Sequence, residues 1–303
     1  MKSSPPLTIA PLSAAPGRPL EVEEATNRYL VHPVSRAVVD RLVNTRVTPN
    51  QVSVASVFAA GAGALCYLMI PGPLGALTGV AFQFLWHVLD GADGDLARRT
   101  GRASPIGELV DGVCDHVSQA LVYLAFVALL LPTLHGWAWL VASVAGASHF
   151  IQANAYETGR KTYRRWVYGA AWMRQTAGAA TGVQGALAGL YIGLSRLVSP
   201  GETGVEAAME TSLAADGPAA ERVRLIYGER LAPLVKRSAI LSGNSRTIAA
   251  FLSMLAGGPL WFFLFEIVVL NLATVAVVVA RGRCNRAVAA ALTAGNQAAS
   301  APN

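Results

Sequence analysis

The sequence predicts an all-α integral membrane protein with about six transmembrane helices, preceded by an amphipathic juxtamembrane helix. Three observations carry this. Of 303 residues, 53% are hydrophobic and only 14% charged, where a soluble domain carries roughly a quarter. Several uncharged apolar runs approach the ~20 residues that a helix needs to cross a bilayer. Arginines and lysines also collect in alternate connections, the asymmetry that orients membrane helices.

The elements follow in order. Residues 1–20, "MKSSPPLTIAPLSAAPGRPL", have prolines but no continuous apolar stretch. They are expected to be a disordered tail rather than a signal peptide. In 21–46, Tyr29, Leu30, Val34, Val38 and Leu42 recur near helical spacing among charges, with Pro33 interrupting. This predicts amphipathic helix lying on the membrane surface. Thr48 then caps a helix with Pro49 at its first position. That first crossing ends at "PGP".

The second crossing, "LGALTGVAFQFLWHVLDGADGDLARR", runs into a cluster of charges, and the third, "IGELVDGVCDHVSQALVYLAFVALLL", starts in it. "WAWLVASVAGASHFIQANAY" is the expected fourth. The last apolar run, 247–280, is long for one helix, and Gly257, Gly258 and Pro259 are expected to split it. A cytoplasmic C-terminus needs an even number of crossings, so the fifth is either 178–198 or the first part of that run, 247–257. The membrane domain is thus placed at 47–285, and 286–303 is expected to be a disordered tail.

"PGP" and "PTLHG" carry no Lys or Arg. Arg28, Arg36, Arg41 and Arg46 precede the first crossing, Arg98, Arg99 and Arg102 lie between the second and third, and Arg160, Lys161, Arg164 and Arg165 follow the fourth. The N-terminus and the charged turn are therefore expected to face the cytoplasm. The net charge of +6 is accounted for by these loops, which argues against a nucleic-acid partner. Cys66, Cys114 and Cys284 are scattered and odd in number, so neither a disulfide framework nor a thiolate metal site is expected.

The chemistry concentrates in "DGADGDLARRTGRASPIGELVDGVCD", residues 90–115. Asp90, Asp93, Gly94 and Ala97 share one face of the second helix, and Gly107, Asp111 and Asp115 one face of the third. The turn between them is short, so four carboxylates converge from antiparallel neighbours. Charges at membrane depth are costly unless neutralised. Oxygen ligands select hard cations, so Mg²⁺ is expected, with Mn²⁺ the other candidate. Four carboxylates suit two ions and phosphoryl chemistry.

Gly94, Ala97 and Gly107 leave the same face bare for a ligand. Arg98 and Ser104 stand on the water side, where a phosphate or polar base can be held. An EF-hand is excluded by Ala92 and Gly94 at positions that need oxygen ligands. A salt-bridge cluster of Asp93, Asp95, Arg98 and Arg99 accounts for Asp95 but not for Asp111 and Asp115. Asp95 and Glu108 are read as surface residues.

The row D-x-x-D-G-x-x-A-R, eight residues, then G-x-x-x-D-x-x-x-D, resembles the signature of the CDP-alcohol phosphotransferases, integral membrane enzymes of phospholipid biosynthesis. "TPNQVS" is similar to the family's P-N-x-[ILV]-[TS] element. The resemblance covers about residues 22–157. It implies a CDP-linked lipid or alcohol donor, an acceptor alcohol whose hydroxyl attacks the phosphorus distal to cytidine, and release of CMP. It further implies Asp90, Asp93 and Asp111 as metal ligands, and Asp115 as a ligand or as the general base. Asn50, Gly94, Ala97, Arg98, Ser104 and Gly107 would line the CDP moiety. A homodimer in the bacterial inner membrane, with the site facing the cytoplasm, is the corresponding expectation.

Two other readings compete. A Mg²⁺-dependent membrane prenyltransferase needs two separate Asp-rich motifs, and this chain has one composite motif. A cation-coupled transporter predicts internal pseudo-symmetry and carboxylates near mid-bilayer, and neither is present. His87, one turn before Asp90, is a candidate to support the site. Ser118 and Gln119 lie one turn past Asp115. His149, Gln152, Asn154 and Glu157 line an acceptor site or bond neighbouring helices. The run from Arg160 to Arg165 suits a phosphorylated acceptor or simply sets topology. Glu266 and Asn271 have no assigned place.

Overall fold

A computed structural model describes residues 19–168, 193, 198–200, 204–207 and 218–300. Every regular element among them is helical. A π turn, Asn27–Val31, enters α1 (His32–Leu42). Then come α2 (Pro49–Met69), α3 (Gly72–Arg99), α4 (Pro105–Leu134), α5 (Trp137–Tyr168) and α6 (Pro218–Arg237). A 3₁₀ turn, Ser238–Leu241, leads to α7 (Gly243–Leu255), α8 (Leu260–Leu264), a π turn Phe265–Leu270, and α9 (Asn271–Ser300). Two compact units result: Glu24–Ser148 with Gly243–Val269, and Met1–Glu23 with His149–Ser242 and Leu270–Asn303.

In the first unit, local chemistry sets the helix ends. Thr48 forms a capping box with Gln51, and Pro49 occupies the first turn, which satisfies amide donors that the helix leaves open. Ser104 caps α4 by accepting from the Gly107 N–H at 3.0 Å, with Pro105 next in line. Between α3 and α4 the chain reverses in the five residues 100–104. Gly101 there has φ +66°, a left-handed turn that glycine adopts without penalty.

Helix α2 packs along both α3 and α4. Small residues let it approach: the Tyr67 ring lies so close to Gly79 that a Cβ there would stand 2.4 Å from it. Ala64, Tyr67, Val122, Phe126, Leu130, Ala142, Phe262 and Phe263 form the main core of this unit. Its rings meet edge to face, Phe126 and Phe262 at 5.3 Å between centroids, the arrangement favoured by aromatic quadrupoles. Gln83 donates to the Ala60 carbonyl at 3.1 Å, a side-chain bond from α3 to α2.

The second unit is built around Val22, Tyr163, Trp166, Tyr227, Leu231, Val235 and Val288. Glu21 accepts from the hydroxyls of Tyr163, at 2.9 Å, and Tyr168. Burial, with the Glu21 carboxylate beside them, pushes both phenols above their ordinary value, so both keep the proton they donate. Arg281 is buried and donates to the Ala155 carbonyl at 2.9 Å and Ser199 Oγ at 3.2 Å. Gly159 makes room for it, since a Cβ there would stand 2.3 Å from the guanidinium.

Four helical stretches among the described residues are long and apolar enough to cross a membrane: Pro49–Met69, Gly72–Arg99, Leu109–Leu134 and Leu260–Leu292. The first three are the expected first three crossings, and the chain is an all-α membrane protein. The expected fourth lies in α5, whose 32 residues suffice in length but which is not among these four stretches. Of the two candidates for a fifth crossing, 178–198 lies outside the described residues apart from Gly193 and Val198. The other, 247–257, falls in α7, whose 13 residues rise about 20 Å, short of the roughly 30 Å hydrocarbon core. The expected split is present: Gly257 and Gly258, at φ +105° and +148°, part α7 from α8.

Two expectations about the ends are revised. Pro33 does not interrupt the juxtamembrane helix but sits in the first turn of α1, where its missing N–H costs nothing. Val31, His32, Ser35 and Val39 form the buried seam, while Tyr29, Leu30 and Val34 face outward at 68%, 55% and 43% exposure. At the other end, α9 continues to Ser300, through most of the stretch 286–303 where low complexity predicts a disordered tail. Alanines dominate that stretch, and alanine is the strongest helix former. The N-terminal tail lies outside the described residues up to position 18.

Candidate metal centre on the α3–α4 hairpin

Asp90 and Asp93 stand on the last turns of α3, and Asp111 and Asp115 on the second and third turns of α4. The hairpin brings three of the four together. One carboxylate oxygen each from Asp90, Asp111 and Asp115 lies within 4.8 Å of the others, and all three residues are half-buried. Three carboxylates this close repel one another unless a cation lies among them. An all-oxygen donor set of this size suits a hard divalent ion. The residues present therefore fit the expected metal.

Asp93 lies beside that group with hydrogen-bond donors of its own. It is 4% exposed. Its Oδ2 accepts from Ser53 Oγ on α2 at 2.5 Å, and its Oδ1 accepts from the Gly94 N–H at 2.5 Å. Both donors hold the carboxylate in one orientation beside Asp90. Ser53 was not singled out by the sequence, although it ends "TPNQVS" and its position tolerates only serine or threonine in the pattern quoted above.

The other expected site residues divide. Asn50, Ser104 and Gly107 come together where the first turns of α2 and α4 meet. A Cβ on Gly107 would stand 3.3 Å from Ser104 Oγ and 3.7 Å from Asn50 Oδ1. Gly94 is overlaid by Arg98, whose guanidinium nitrogen would lie 3.4 Å from a Cβ there. Arg98 also pairs with Asp95 and is half exposed. Ala97 is half-buried, and its carbonyl accepts from Arg102 to close the helix end. Arg99 pairs with Asp40 on α1. The salt-bridge reading thus holds for Asp95 and the arginines, while Asp93 turns to Ser53 instead.

The accessory polar residues make bonds within and between helices. His87 does not turn to Asp90; its Nε2 is hydrogen-bonded to Thr247 Oγ1 on α7 at 2.8 Å. Gln152 donates to Asn271 Oδ1 at 2.9 Å, Thr158 to Asn154 at 3.2 Å, and Arg160 to Glu157 at 2.7 Å. These are bonds within and between helices, the alternative to an acceptor site. Arg165 pairs with Glu206 and lies over the Trp166 ring. Glu266 accepts from Arg246 Nε at 2.9 Å and from Tyr123 OH. No sequence signal connects these three, because they lie on separate helices without a shared period.

Comparison with known proteins bears on this hairpin. The family model described as CDP-alcohol phosphatidyltransferase matches residues 46–205. Cholinephosphotransferase 1 of Xenopus laevis is 46% identical over 55 residues, 18% of this chain and 14% of that protein. The bifunctional IPC transferase and DIPP synthase of Archaeoglobus fulgidus is 33% identical over 112 residues, 37% of this chain and 20% of its own length. Archaetidylinositol phosphate synthase of Aeropyrum pernix is 39% identical over 75 residues, 25% and 37% of the two chains. Each match thus spans well under half of the relative.

Proposed function

The chain belongs to the CDP-alcohol phosphatidyltransferase family, and from that premise we propose that it transfers a phosphatidyl or phosphoalcohol group from a CDP-linked donor to the hydroxyl of an acceptor alcohol, releasing CMP. The observation that carries this is the convergence of Asp90, Asp111 and Asp115 on one hairpin, with Asp93 fixed beside them by Ser53. Relatives named for cholinephosphotransferase and for archaetidylinositol phosphate synthesis support the same reaction class with differing alcohols.

In this reading Asp90, Asp93, Asp111 and Asp115 hold two divalent ions, Mg²⁺ or Mn²⁺. Bound there, the ions supply positive charge against the pyrophosphate and the transferred phosphoryl group. Asn50, Ser104 and Gly107 receive the nucleotide end of the donor, and the bare backbone at Gly94 and Ala97 lets it come close. Arg98 releases Asp95 to bind a donor phosphate. Asp115 accepts the proton of the acceptor hydroxyl. The acceptor oxygen then bonds to the phosphorus distal to cytidine, the bond from that phosphorus to the bridging oxygen breaks, and CMP departs with that oxygen.

The arginine distribution supports a site facing the cytoplasm, and the family resemblance a homodimer. The test is a panel: purified protein with Mg²⁺, labelled CDP-diacylglycerol or CDP-choline, and glycerol phosphate, inositol, inositol phosphate, serine or diacylglycerol as acceptor. CMP release with one acceptor establishes the reaction and identifies the alcohol. No CMP with any pair overturns the proposal.

A further inference from the structure

Arg246 and Thr247 are neighbours in the first turn of α7, and their bonds lead to different helices of the aspartate hairpin. Thr247 Oγ1 is hydrogen-bonded to His87 Nε2 on α3 at 2.8 Å, one turn before Asp90. Gly243 lets the imidazole approach, as a Cβ there would stand 3.1 Å from His87 Cε1. Arg246 Nε donates to Glu266 Oε1 at 2.9 Å. The other oxygen of Glu266 accepts from Tyr123 OH on α4, two turns past Asp115. The start of α7 also holds the juxtamembrane segment, for Asn244 Nδ2 donates to Glu24 Oε2 at 2.9 Å and Asn27 Oδ1 at 2.7 Å.

The energetics argue that these bonds serve arrangement more than stability. Arg246 and Glu266 are 3% and 0% exposed. Desolvating such a pair costs about as much as its attraction returns, and its best attested use is to fix one registry. Glu266 also sits in the π turn, a helical form frequent at functional sites. Metal ligands must be held within about 0.5 Å of their productive positions. The 100–104 turn joins α3 and α4 at one end only. Farther along, α7 touches both, directly at His87 and through Glu266 at Tyr123. Arg246, Thr247 and Glu266 all lie outside the stretch that matches the family.

We infer that α7 is a brace that sets the spacing and rotation of α3 against α4, with Thr247 and Arg246 as positioning residues for the aspartate group. The inference rests on the metal-site reading above. Its test is Mn²⁺ binding to the purified full chain, followed by electron paramagnetic resonance, with thermal melts in parallel. Thr247→Val and Tyr123→Phe remove one hydroxyl each. Each is expected to weaken Mn²⁺ binding about fivefold with the melting temperature nearly unchanged. Thr247→Ser keeps the hydroxyl and is expected to bind as the unaltered protein does. The double variant is expected to lose less than the product of the single losses, because both release the same brace.

Mn²⁺ binding unchanged in both single variants overturns the brace, whether or not their melting temperatures fall. Equal weakening in Thr247→Ser and Thr247→Val also overturns it. An unaltered chain that binds no Mn²⁺ overturns the metal-site reading and the brace together. A chain that binds Mn²⁺ normally yet never releases CMP leaves the brace standing while the proposed reaction fails.

Discussion

The Ser53 hydroxyl donates to Asp93 Oδ2 at 2.5 Å, joining α2 to α3 one turn beyond Asp90. One short stretch thereby does three things. Thr48 starts the helix, Asn50 reaches the first turn of α4 at Gly107, and Ser53 orients a carboxylate on α3. Because α2 packs on both helices, its first two turns border both the corner formed by Asn50, Ser104 and Gly107 and the aspartate group.

Removing that hydroxyl leaves a buried carboxylate short of a donor, at a cost of about 1–3 kcal/mol. Ser53→Ala is expected to lower CMP release about tenfold or more, and Ser53→Thr to retain most of it. Initial rates at saturating Mg²⁺ measure this. Equal rates for all three proteins would remove Ser53 from the site.

Asp93→Asn and Asp115→Asn are each expected to cut turnover by about a thousandfold. The neutral amide keeps the shape and removes the charge. Unchanged elution from size-exclusion chromatography separates this loss from misfolding. Appreciable activity in Asp115→Asn would exclude it as the base.

Chelation is expected to abolish CMP release, and added Mg²⁺ or Mn²⁺ to restore it. Asp111→Asn should need a higher concentration of metal for half its maximal rate. Full activity after exhaustive chelation and dialysis would show that the aspartates serve another purpose.

At Gly94 the structure admits a methyl group, since the nearest neighbour of a Cβ would be the Arg98 guanidinium at 3.4 Å. Gly94→Ala is therefore expected to fold and melt normally. If the donor lies against this backbone, the added methyl overpacks the complex by about 1–3 kcal/mol, raising the KM for the CDP-linked donor about five- to 150-fold. An unchanged KM would place the donor elsewhere.

Gly159→Ala tests the second unit. Its methyl would fall 2.3 Å from the buried Arg281 guanidinium, so α5 or the arginine must shift. A loss of about 2–4 kcal/mol is expected from disturbing a buried charge. Gly146→Ala is the control, with its nearest neighbour at 3.8 Å. Denaturation curves of the two variants should separate clearly.

The parts legible in the sequence were those with a short period. Asp90, Asp93, Asp111 and Asp115 are legible because helical spacing puts each pair on one face and a short turn makes the faces meet. Thr48 and the break at Gly257–Pro259 announce themselves through capping and backbone chemistry. The partner of His87 is not legible, since its separation from Asp90 can be read along the helix while only helix packing brings Thr247 to its ring. The Arg246–Glu266–Tyr123 network is invisible, because helix crossing and not chain order brings those residues together.

The five-residue connection between α3 and α4, with Gly101 at its corner, has a consequence for inheritance. A short tether holds the two carboxylate pairs at an effective concentration on the order of millimolar or more, so bringing them near one another costs little and distant chain has only to refine their alignment. All four aspartates, and the glycines between them, therefore travel as one contiguous coding segment of residues 90–115. Substitution or recombination elsewhere can alter the rest of the protein while this segment passes on whole.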